Sequence, residues 1–238
     1  MTKTGRLLSW RKSPSTQQQL LDHVRWFAAG RSGIFAIGTD DILWYIGTTE
    51  RWFSDGDRVK PVKIAENVLT ASIGDSANYY VTKTGALHVK GLAHRGQYGD
   101  GKLQSTDIFI PVAKDVTSVK AHTGHALLLT TGGIVKGTGG NIYGPLSRHG
   151  IGDKATTWGT IFRDGVSIAT GSSHSVSIRA DRSLWIWGRD IGLDPIKVME
   201  NVMAVAADSG GSIALQNDGT LWQWDRDQRP KQLFRCPQ

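Results

Sequence analysis

The sequence predicts an all-β protein, a β-propeller of about six blades in which each blade is a four-stranded antiparallel sheet and one blade is incomplete. Three observations lead to this prediction. A unit of 36 to 50 residues recurs along the chain, apolar residues alternate with a period of two inside each unit, and 29 glycines are available for tight turns. Alternation is the pattern of half-buried strands, and abundant glycine is typical of proteins built from many short strands.

The clearest part of the unit is a turn followed by a short strand, often aromatic, that ends near glycine. Its six copies are TGRLLSW (4–10), TDDILWYIG (39–47), KTGALHVKG (83–91), TGGIVKGTG (131–139), ADRSLWIWG (180–188) and NDGTLWQWD (217–225). We align them on an apolar anchor, at Leu7, Leu43, Leu87, Ile134, Leu184 and Leu221. The tryptophans of this strand are predicted to fill the space between neighbouring blades.

A second segment precedes every copy except the first. Its five copies are VRWFAAGRSGIFAIG (24–38), VLTASIGDSANYYVT (68–82), VTSVKAHTGHALLLT (116–130), VSIATGSSHSVSIRA (166–180) and VMAVAADSGGSIALQ (202–216). Each consists of two short runs around a turn of small residues, which predicts two strands, and a further short strand begins near a proline or an apolar residue. The unit is therefore about four strands.

One such sheet cannot bury both of its faces, so the units must stack on one another. Radial stacking gives a propeller, in which sheet edges stay short and protected. A tandem array of β-sandwiches is the competing architecture, but it needs longer strands than these runs of five or six residues supply. Because the chain holds six copies of one half-unit and five of the other, one blade is predicted to be incomplete. Closure normally pairs strands from both ends, which predicts that the two termini of this single domain (1–238) meet.

The stretch VSIATGSSHSVSIRADRSLWIWG (166–188) resembles the repeats of the regulator of chromosome condensation family, the propellers that include the exchange factor for the small GTPase Ran and bacterial inhibitor propellers. GQYGDG (96–101) matches the Gly-Gln-apolar-Gly-x-Gly loop that follows that strand in the family, and IYGPLSRHGIGD (142–153) is a partial copy. The resemblance implies a propeller, although the family's usual ring has seven blades. Exchange activity is not carried over, because no insertion here matches the family's wedge.

Candidate chemistry is sparse, and we predict no enzyme activity, no cofactor and no metal site. The glycine-rich loops GTGGNIYG (137–144) and GLAHRGQYGDG (91–101) are predicted to connect strands, because no helical pattern follows them to hold a phosphate. His122, His125 and His174 lie at equivalent turns, where packed histidines are a simpler reading than metal ligands. The single cysteine, Cys236, has no base fixed beside it in sequence.

Charge and hydropathy limit the kinds of partner and the location that we expect for this chain. The net charge is +7 and the pI is about 9.6, but lysine and arginine are dispersed, so nucleic acid is a less favoured partner than protein. No apolar run is long enough for a membrane helix, and the chain begins without the apolar segment of a secretory signal. We expect a cytoplasmic protein, or a virion protein if it belongs to a phage particle. The oligomeric state stays open.

The loops that follow the recurrent strand are predicted to emerge on one rim of the ring and to bind a partner. They contain arginine and aromatic residues, the composition of protein–protein hot spots. The candidate partner-binding residues are Arg51, Trp52, Phe53, His94, Arg95, Tyr98, Tyr143, Arg148, His149 and Trp158. Trp52 and Trp158 are placed in long loops, and Tyr98 is expected to pack beneath its own loop.

The function that we expect is non-enzymatic binding of a macromolecule through this loop-rich face, with an inhibitor or immunity protein as one specific form. A structural or adhesive part of a larger assembly, such as a phage particle, is an alternative. In that case a neighbour's strand would complete the partial blade, a form of β-augmentation. A guanine-nucleotide exchange factor for a small GTPase is the third reading.

Overall fold

The computed structural model describes residues 1–9, 18–47, 60–147, 152–225 and 230–235. Strands β1 (Leu7–Ser9) and β2 (Gln18–Leu21) form a two-stranded antiparallel sheet, and five four-stranded antiparallel sheets follow it along the chain. Within each of these five blades we name the strands a, b, c and d in chain order.

The strands of the five blades have the following bounds. Blade 1 contains β3 (Val24–Gly30), β4 (Gly33–Gly38), β5 (Leu43–Ile46) and β6 (Val62–Ala65); blade 2 contains β7 (Val68–Ile73), β8 (Ala77–Thr82), β9 (Leu87–Gly91) and β10 (Thr106–Ala113). Blade 3 contains β11 (Val116–Ala121), β12 (His125–Thr130), β13 (Val135–Gly140) and β14 (Lys154–Phe162). Blade 4 contains β15 (Gly165–Thr170), β16 (His174–Arg179), β17 (Leu184–Gly188) and β18 (Gly192–Met199); blade 5 contains β19 (Val202–Asp208), β20 (Gly211–Gln216), β21 (Thr220–Trp224) and β22 (Lys231–Arg235).

The prediction of about six blades with one incomplete is confirmed as five full blades and one two-stranded sheet. The recurrent aromatic strand is strand c, and Leu7 of β1 holds its anchor position, so the two-stranded sheet corresponds to strands c and d of a sixth blade. One anchor was misplaced by a residue. In blade 3, Val135 pairs with Leu129 as Leu184 pairs with Ile178 in blade 4, so Val135 and not Ile134 is the equivalent of Leu184.

The antiparallel order of each blade fixes which loops lie together. Successive hairpin ends alternate between the two rims of a meander, so the a–b turn and the c–d loop share one rim, while the b–c turn and the d–a connection share the other. We call the first rim the loop face and the second the opposite face. The a strands line a central cavity of about 540 Å³, whose wall contains small residues such as Ala28, Ala71 and Ala169.

Apolar side chains hold successive sheets together in five clusters, each of which spans one pair of neighbours. Between blades 3 and 4, for example, the Phe162 and Trp187 rings meet edge to face with centroids 5.6 Å apart. Trp187 is fully buried and Trp224 nearly so. As predicted, the strand-c tryptophans at these two positions fill the space between blades.

A repeated backbone contact also joins each blade to the one before it. A residue with φ between 54° and 63° precedes every a strand, namely His23, Asn67, Asp115, Asp164 and Asn201. Asparagine and aspartate tolerate this left-handed region better than most residues. The residue directly after the left-handed one donates its N–H to the carbonyl of the preceding b–c turn, as Val68 does to Asp41 at 3.0 Å and Val116 to Gly85 at 3.0 Å. The small polar residues read as turns in the sequence therefore also connect blades.

The expected pairing of strands from the two ends is wrong for the described part of the chain. The two-stranded sheet is built by β1 and β2 alone, both from the first 21 residues, and β22 pairs with β21. Leu7 packs on Val24, Ala36 and Ile46 of blade 1, which joins that sheet to the first blade. Among the described residues no apolar cluster joins blade 5 to the two-stranded sheet, so a seam separates them.

Candidate functional site

The loop face carries several of the residues predicted to bind a partner. Arg51, Trp52, Phe53, Arg148 and His149 lie outside the described residues. Of the others, His94, Arg95 and Tyr98 lie in the c–d loop of blade 2, Tyr143 lies in the c–d loop of blade 3, and Trp158 lies elsewhere. The observed strand order confirms the prediction that the loops after strand c share one rim.

The glycine-rich stretch 91–101 fastens blade 2 to blade 3. Gly96 and Gly99 adopt left-handed backbones, with φ of 82° and 70°, and lie so close to β14 that a Cβ on Gly96 would meet the Ala155 carbonyl oxygen at 2.3 Å. Gly101 donates its N–H to the Thr156 carbonyl at 2.8 Å, and Thr138 donates its hydroxyl to the Gly96 carbonyl at 2.8 Å. The stretch connects β9 to β10, as the sequence predicted, and its contacts also join blade 2 to blade 3.

Tyr98 and Trp158 both pack inside this junction. Tyr98 is fully buried, and its hydroxyl donates to the Gly91 carbonyl at 2.5 Å. Trp158 is half-buried in strand β14 and covers Gly99, so its placement in a long loop is wrong. The Thr-rich segment 154–160 is outer-strand sequence with little alternation, which is why it resembled a loop. The exposed part of the predicted surface in the described chain is therefore His94, Arg95 and Tyr143.

Arg95 extends across the a–b turn of the next blade. Its side chain lies 3.3 Å from the position that a Cβ on Gly124 would occupy and 3.4 Å from the same position on Gly140. Two residues without side chains thus form a shallow bed that orients the guanidinium while leaving it exposed. A pre-oriented arginine loses less conformational freedom when it binds than a free one.

A second arginine, which sequence reasoning missed, lies beside Tyr143. The guanidinium carbon of Arg189, from the c–d loop of blade 4, lies 4.5 Å from the centre of the Tyr143 ring. Ile142 and Tyr143 are about half exposed, at 57% and 48%, and Leu193 at 38% packs against Gly144. We call Arg95, Ile142, Tyr143, Arg189 and Leu193 the binding band. Little in the sequence indicated Arg189, because the c–d loop of blade 4 consists only of Arg189, Asp190 and Ile191.

Polar side chains link four blades around the mouth of the central cavity. Arg31 lies 3.8 Å from Asp75, and Thr123 donates its hydroxyl to Asp75 at 3.3 Å. His122 Nε2 donates to Asp208 Oδ1 of blade 5 at 2.9 Å, which is the largest cause that lowers the pKa of Asp208.

Thr123, His122 and Asp208 are hydroxyl, imidazole and carboxylate in series, the parts of a hydrolase triad. The Thr123 hydroxyl lies 2.8 Å from His122 Nδ1, and the Asp208 side chain is 86% exposed. A triad needs a buried carboxylate to hold the imidazole. The series therefore acts as a tie between blades.

The two other turn histidines form matching inter-blade contacts. His125 Nε2 lies 3.0 Å from Ser175 Oγ in the next blade, and His174 Nε2 lies 2.8 Å from Ser212 Oγ in the one after. Burial lowers the pKa of His125 to about 3 and that of His174 to about 4, and the positive charge of nearby His122 adds to both shifts. Both rings are therefore neutral at pH 7, consistent with the packed role predicted for them.

Lys120 is a cation in the wall of the central cavity. It lies on strand a of blade 3, and burial lowers the pKa of its ammonium group.

Within the described ranges, no group of three or more histidine, cysteine, aspartate or glutamate side chains is arranged to hold a metal ion. The described residues also contain no helix that could cross a membrane.

The strand order defines a β-propeller, and its fold is similar to that of RCC1 propellers. Similar solved structures are yeast RCC1 (Prp20) bound to Kap60, at TM-score 0.78, 17% identity and coverage of 94% of this chain and 67% of that chain, and Prp20p from Saccharomyces cerevisiae, at 0.77, 18%, 94% and 68%. Human WBSCR16 gives 0.76, 14%, 89% and 67%. No family model matches the sequence. At these identities the similarity shows the fold alone.

Proposed function

We propose that this protein binds a protein partner through its loop face, with the binding band at the centre of the contact. The observation that carries the proposal is the stacking of exposed Arg189 on exposed Tyr143 beside Ile142 and Leu193. Clustered apolar side chains on a soluble surface commonly mark an interaction site. Arginine and tyrosine are also enriched among residues that dominate binding energy.

Two further observations support a protein as the partner. The cation–π contact and the glycine bed under Arg95 fix the arginines before binding, which lowers the entropy that association costs. The structural neighbours include RCC1 bound to Kap60, and the binding of Prp20p to Gsp1p and histones has been studied with its structure. In its finer form, the proposal is that the partner is an enzyme or toxin that the loop face caps and thereby inhibits.

The test compares substitutions on the two faces of the ring. We expect the triple variant Arg95→Ala, Tyr143→Ala and Arg189→Ala to lose at least about 100-fold in affinity for the partner captured by the wild-type protein, since each hot-spot residue contributes at least about 1 kcal/mol. The matched control is Leu69→Ala, Val166→Ala and Met203→Ala, which alters three exposed apolar residues of the opposite face. Calorimetry with the purified partner gives both affinities, and a partner activity assay tests inhibition.

Loss of binding in the control triple variant with full binding by the loop-face variant would assign the contact to the opposite face. Inhibition that persists without the binding band would contradict capping.

A second candidate function, a part of a larger assembly, is favoured by the seam. In blade 4 the strand-b residues Val176 and Ile178 are buried, whereas Ile213, the blade 5 counterpart of Val176, is 40% exposed and Leu215, the counterpart of Ile178, is half-buried. Strands a and b of the following blade cover this face elsewhere in the ring, but the two-stranded sheet supplies only strands c and d. A second copy of the chain that places its own seam against this one would cover the exposed face.

Light scattering from micromolar to millimolar concentration tests this second function. We expect oligomers that dissociate on Ile213→Lys and persist on Val166→Lys, a matched exposed apolar residue of the opposite face. A strict monomer over that range would contradict self-assembly.

A further inference from the structure

A cleft on the loop face separates blades 4 and 5. Its lining includes Ser173, His174, Ile191, Gly210 and Trp224, and its cavity volume is about 40 Å³, room for a carbonyl group or a few waters. Trp224 is 3% exposed, and its indole nitrogen is buried without a hydrogen-bond partner. A buried donor without an acceptor is costly, so this N–H requires an explanation.

The neighbouring junction shows what such a site holds when it is filled. Between blades 3 and 4, the Pro145 carbonyl oxygen accepts hydrogen bonds from Trp187 Nε1 at 2.7 Å and from Ser175 Oγ at 2.8 Å. The next residue, Leu146, is fully buried. The c–d loop of blade 3 thus brings a carbonyl to the donors of the following blade and packs the adjacent leucine against Gly137 of its own blade.

The same donors recur one blade later. Ser212 and Trp224 are directly opposite each other in the β20–β21 ladder, just as Ser175 and Trp187 are in the β16–β17 ladder. His174 Nε2 lies 2.8 Å from Ser212 Oγ as His125 Nε2 lies 3.0 Å from Ser175 Oγ, and in this setting the Ser175 hydroxyl donates to the Pro145 carbonyl.

The acceptor is what blade 4 does not provide. Its c–d loop has only three residues between β17 and β18, whereas thirteen separate β13 from β14. Ile191 reaches the apolar cluster of this junction, but no carbonyl in the described chain reaches Trp224 Nε1. Two donors and an apolar wall are therefore arranged around a site that the chain's own loop fills one blade earlier.

We propose that this cleft binds an extended loop of the protein partner, whose backbone carbonyl accepts from Trp224 Nε1 and Ser212 Oγ and whose adjacent proline or leucine packs on Ile191. The proposal rests on the proposed function and gives the partner a chemical description, a Pro-Leu-like segment that copies residues 145–146. The indole N–H lies beneath the floor of the cleft, so the three-residue loop moves outward when the segment enters.

The probe is the acetylated and amidated peptide YGPLS, a copy of residues 143–147, added to the full chain labelled with ¹⁵N. We expect the indole N–H resonance of Trp224 to move saturably at millimolar peptide while that of Trp187, whose acceptor is already in place, stays still. Ser212→Ala removes one of the two hydrogen bonds and weakens peptide binding about tenfold. We expect Trp224→Phe to weaken peptide binding by the same factor. Because this variant has no indole N–H at position 224, its affinity is measured from the line broadening of the peptide resonances.

An unmoved Trp224 resonance at 10 mM peptide would overturn the proposal. Ordered water would then be the acceptor for the indole N–H. Equal movement of the Trp187 and Trp224 resonances would also overturn it, because the filled junction would then be as receptive as the open one. The partner separates this inference from the proposed function. If the partner tolerates Trp224→Phe but not loss of the binding band, the loop face binds it without this cleft.

Discussion

Replacing Trp187 by alanine lowers the free energy of unfolding by about 3 to 5 kcal/mol, because the change leaves a large cavity between blades 3 and 4. The side chain is fully buried, its ring packs on Phe162, and its N–H binds the Pro145 carbonyl. The loss is a large share of the 5 to 15 kcal/mol typical of a folded domain. Urea unfolding followed by circular dichroism measures it.

Trp222→Ala is the matched control, since Trp222 lies two positions before Trp224 on a half-buried part of strand c. A second comparison separates the N–H from the ring. Trp187→Phe is expected to destabilise the protein by about 1 kcal/mol more than Trp224→Phe, because only the first removes a satisfied hydrogen bond. Equal losses at Trp187 and Trp222 would show that the junction between blades 3 and 4 is not tightly packed.

Acidification below pH 6.5 destabilises the protein through His125 and His174. Their pKa values are lowered from 6.5 to about 3 and about 4 in the folded chain, chiefly by burial. Above pH 6.5 both states hold neutral rings, so this contribution to stability is fully present. Below pH 6.5 the unfolded chain binds protons that the folded chain does not, and stability falls by up to about 1.4 kcal/mol per pH unit for each ring. The fall from His174 ends near pH 4 and that from His125 near pH 3.

Thermal unfolding at intervals from pH 7.5 to pH 4 measures this slope. The double variant His125→Gln and His174→Gln keeps an amide near each Nε2 position and should show a much shallower slope. His94→Gln, which changes an exposed histidine of the loop face, should leave the slope unchanged. A wild-type melting temperature that stays constant from pH 6.5 to pH 4.5 would contradict the assignment.

Most of the fold was predictable because the same pattern of strands and turns recurs in every unit of the sequence. Period-two alternation identifies strands, and Gly, Asn and Asp mark the turns, so one well-formed copy such as 166–188 interprets the degenerate ones. The exceptions have local causes. The Thr-rich strand around Trp158 shows little alternation, and one anchor was assigned to Ile134 because this apolar residue directly precedes Val135.

The site was less predictable, because it depends on contacts between successive blades. Antiparallel order places Arg95 and Tyr143 on one rim, which the sequence allowed us to infer. The stacking of Arg189 on Tyr143 joins two loops 46 positions apart along the chain, and the His122–Asp208 contact crosses the mouth of the ring past blade 4. Neither leaves a periodic signal, since each depends on how far neighbouring sheets rotate relative to one another.

The seam changes how stability is distributed among the blades. In a closed ring every blade packs against a neighbour on each side, so unfolding any blade breaks two junctions at once. Here the apolar clusters of the described chain run in series from the two-stranded sheet to blade 5, so the molecule behaves as a curved linear array. Amide hydrogens should exchange fastest at the two edges of the seam and slowest in blades 2 and 3, which lie farthest from both edges. A ligand that bridges the seam would convert the array into a closed circle and raise the cooperativity of unfolding across all five blades.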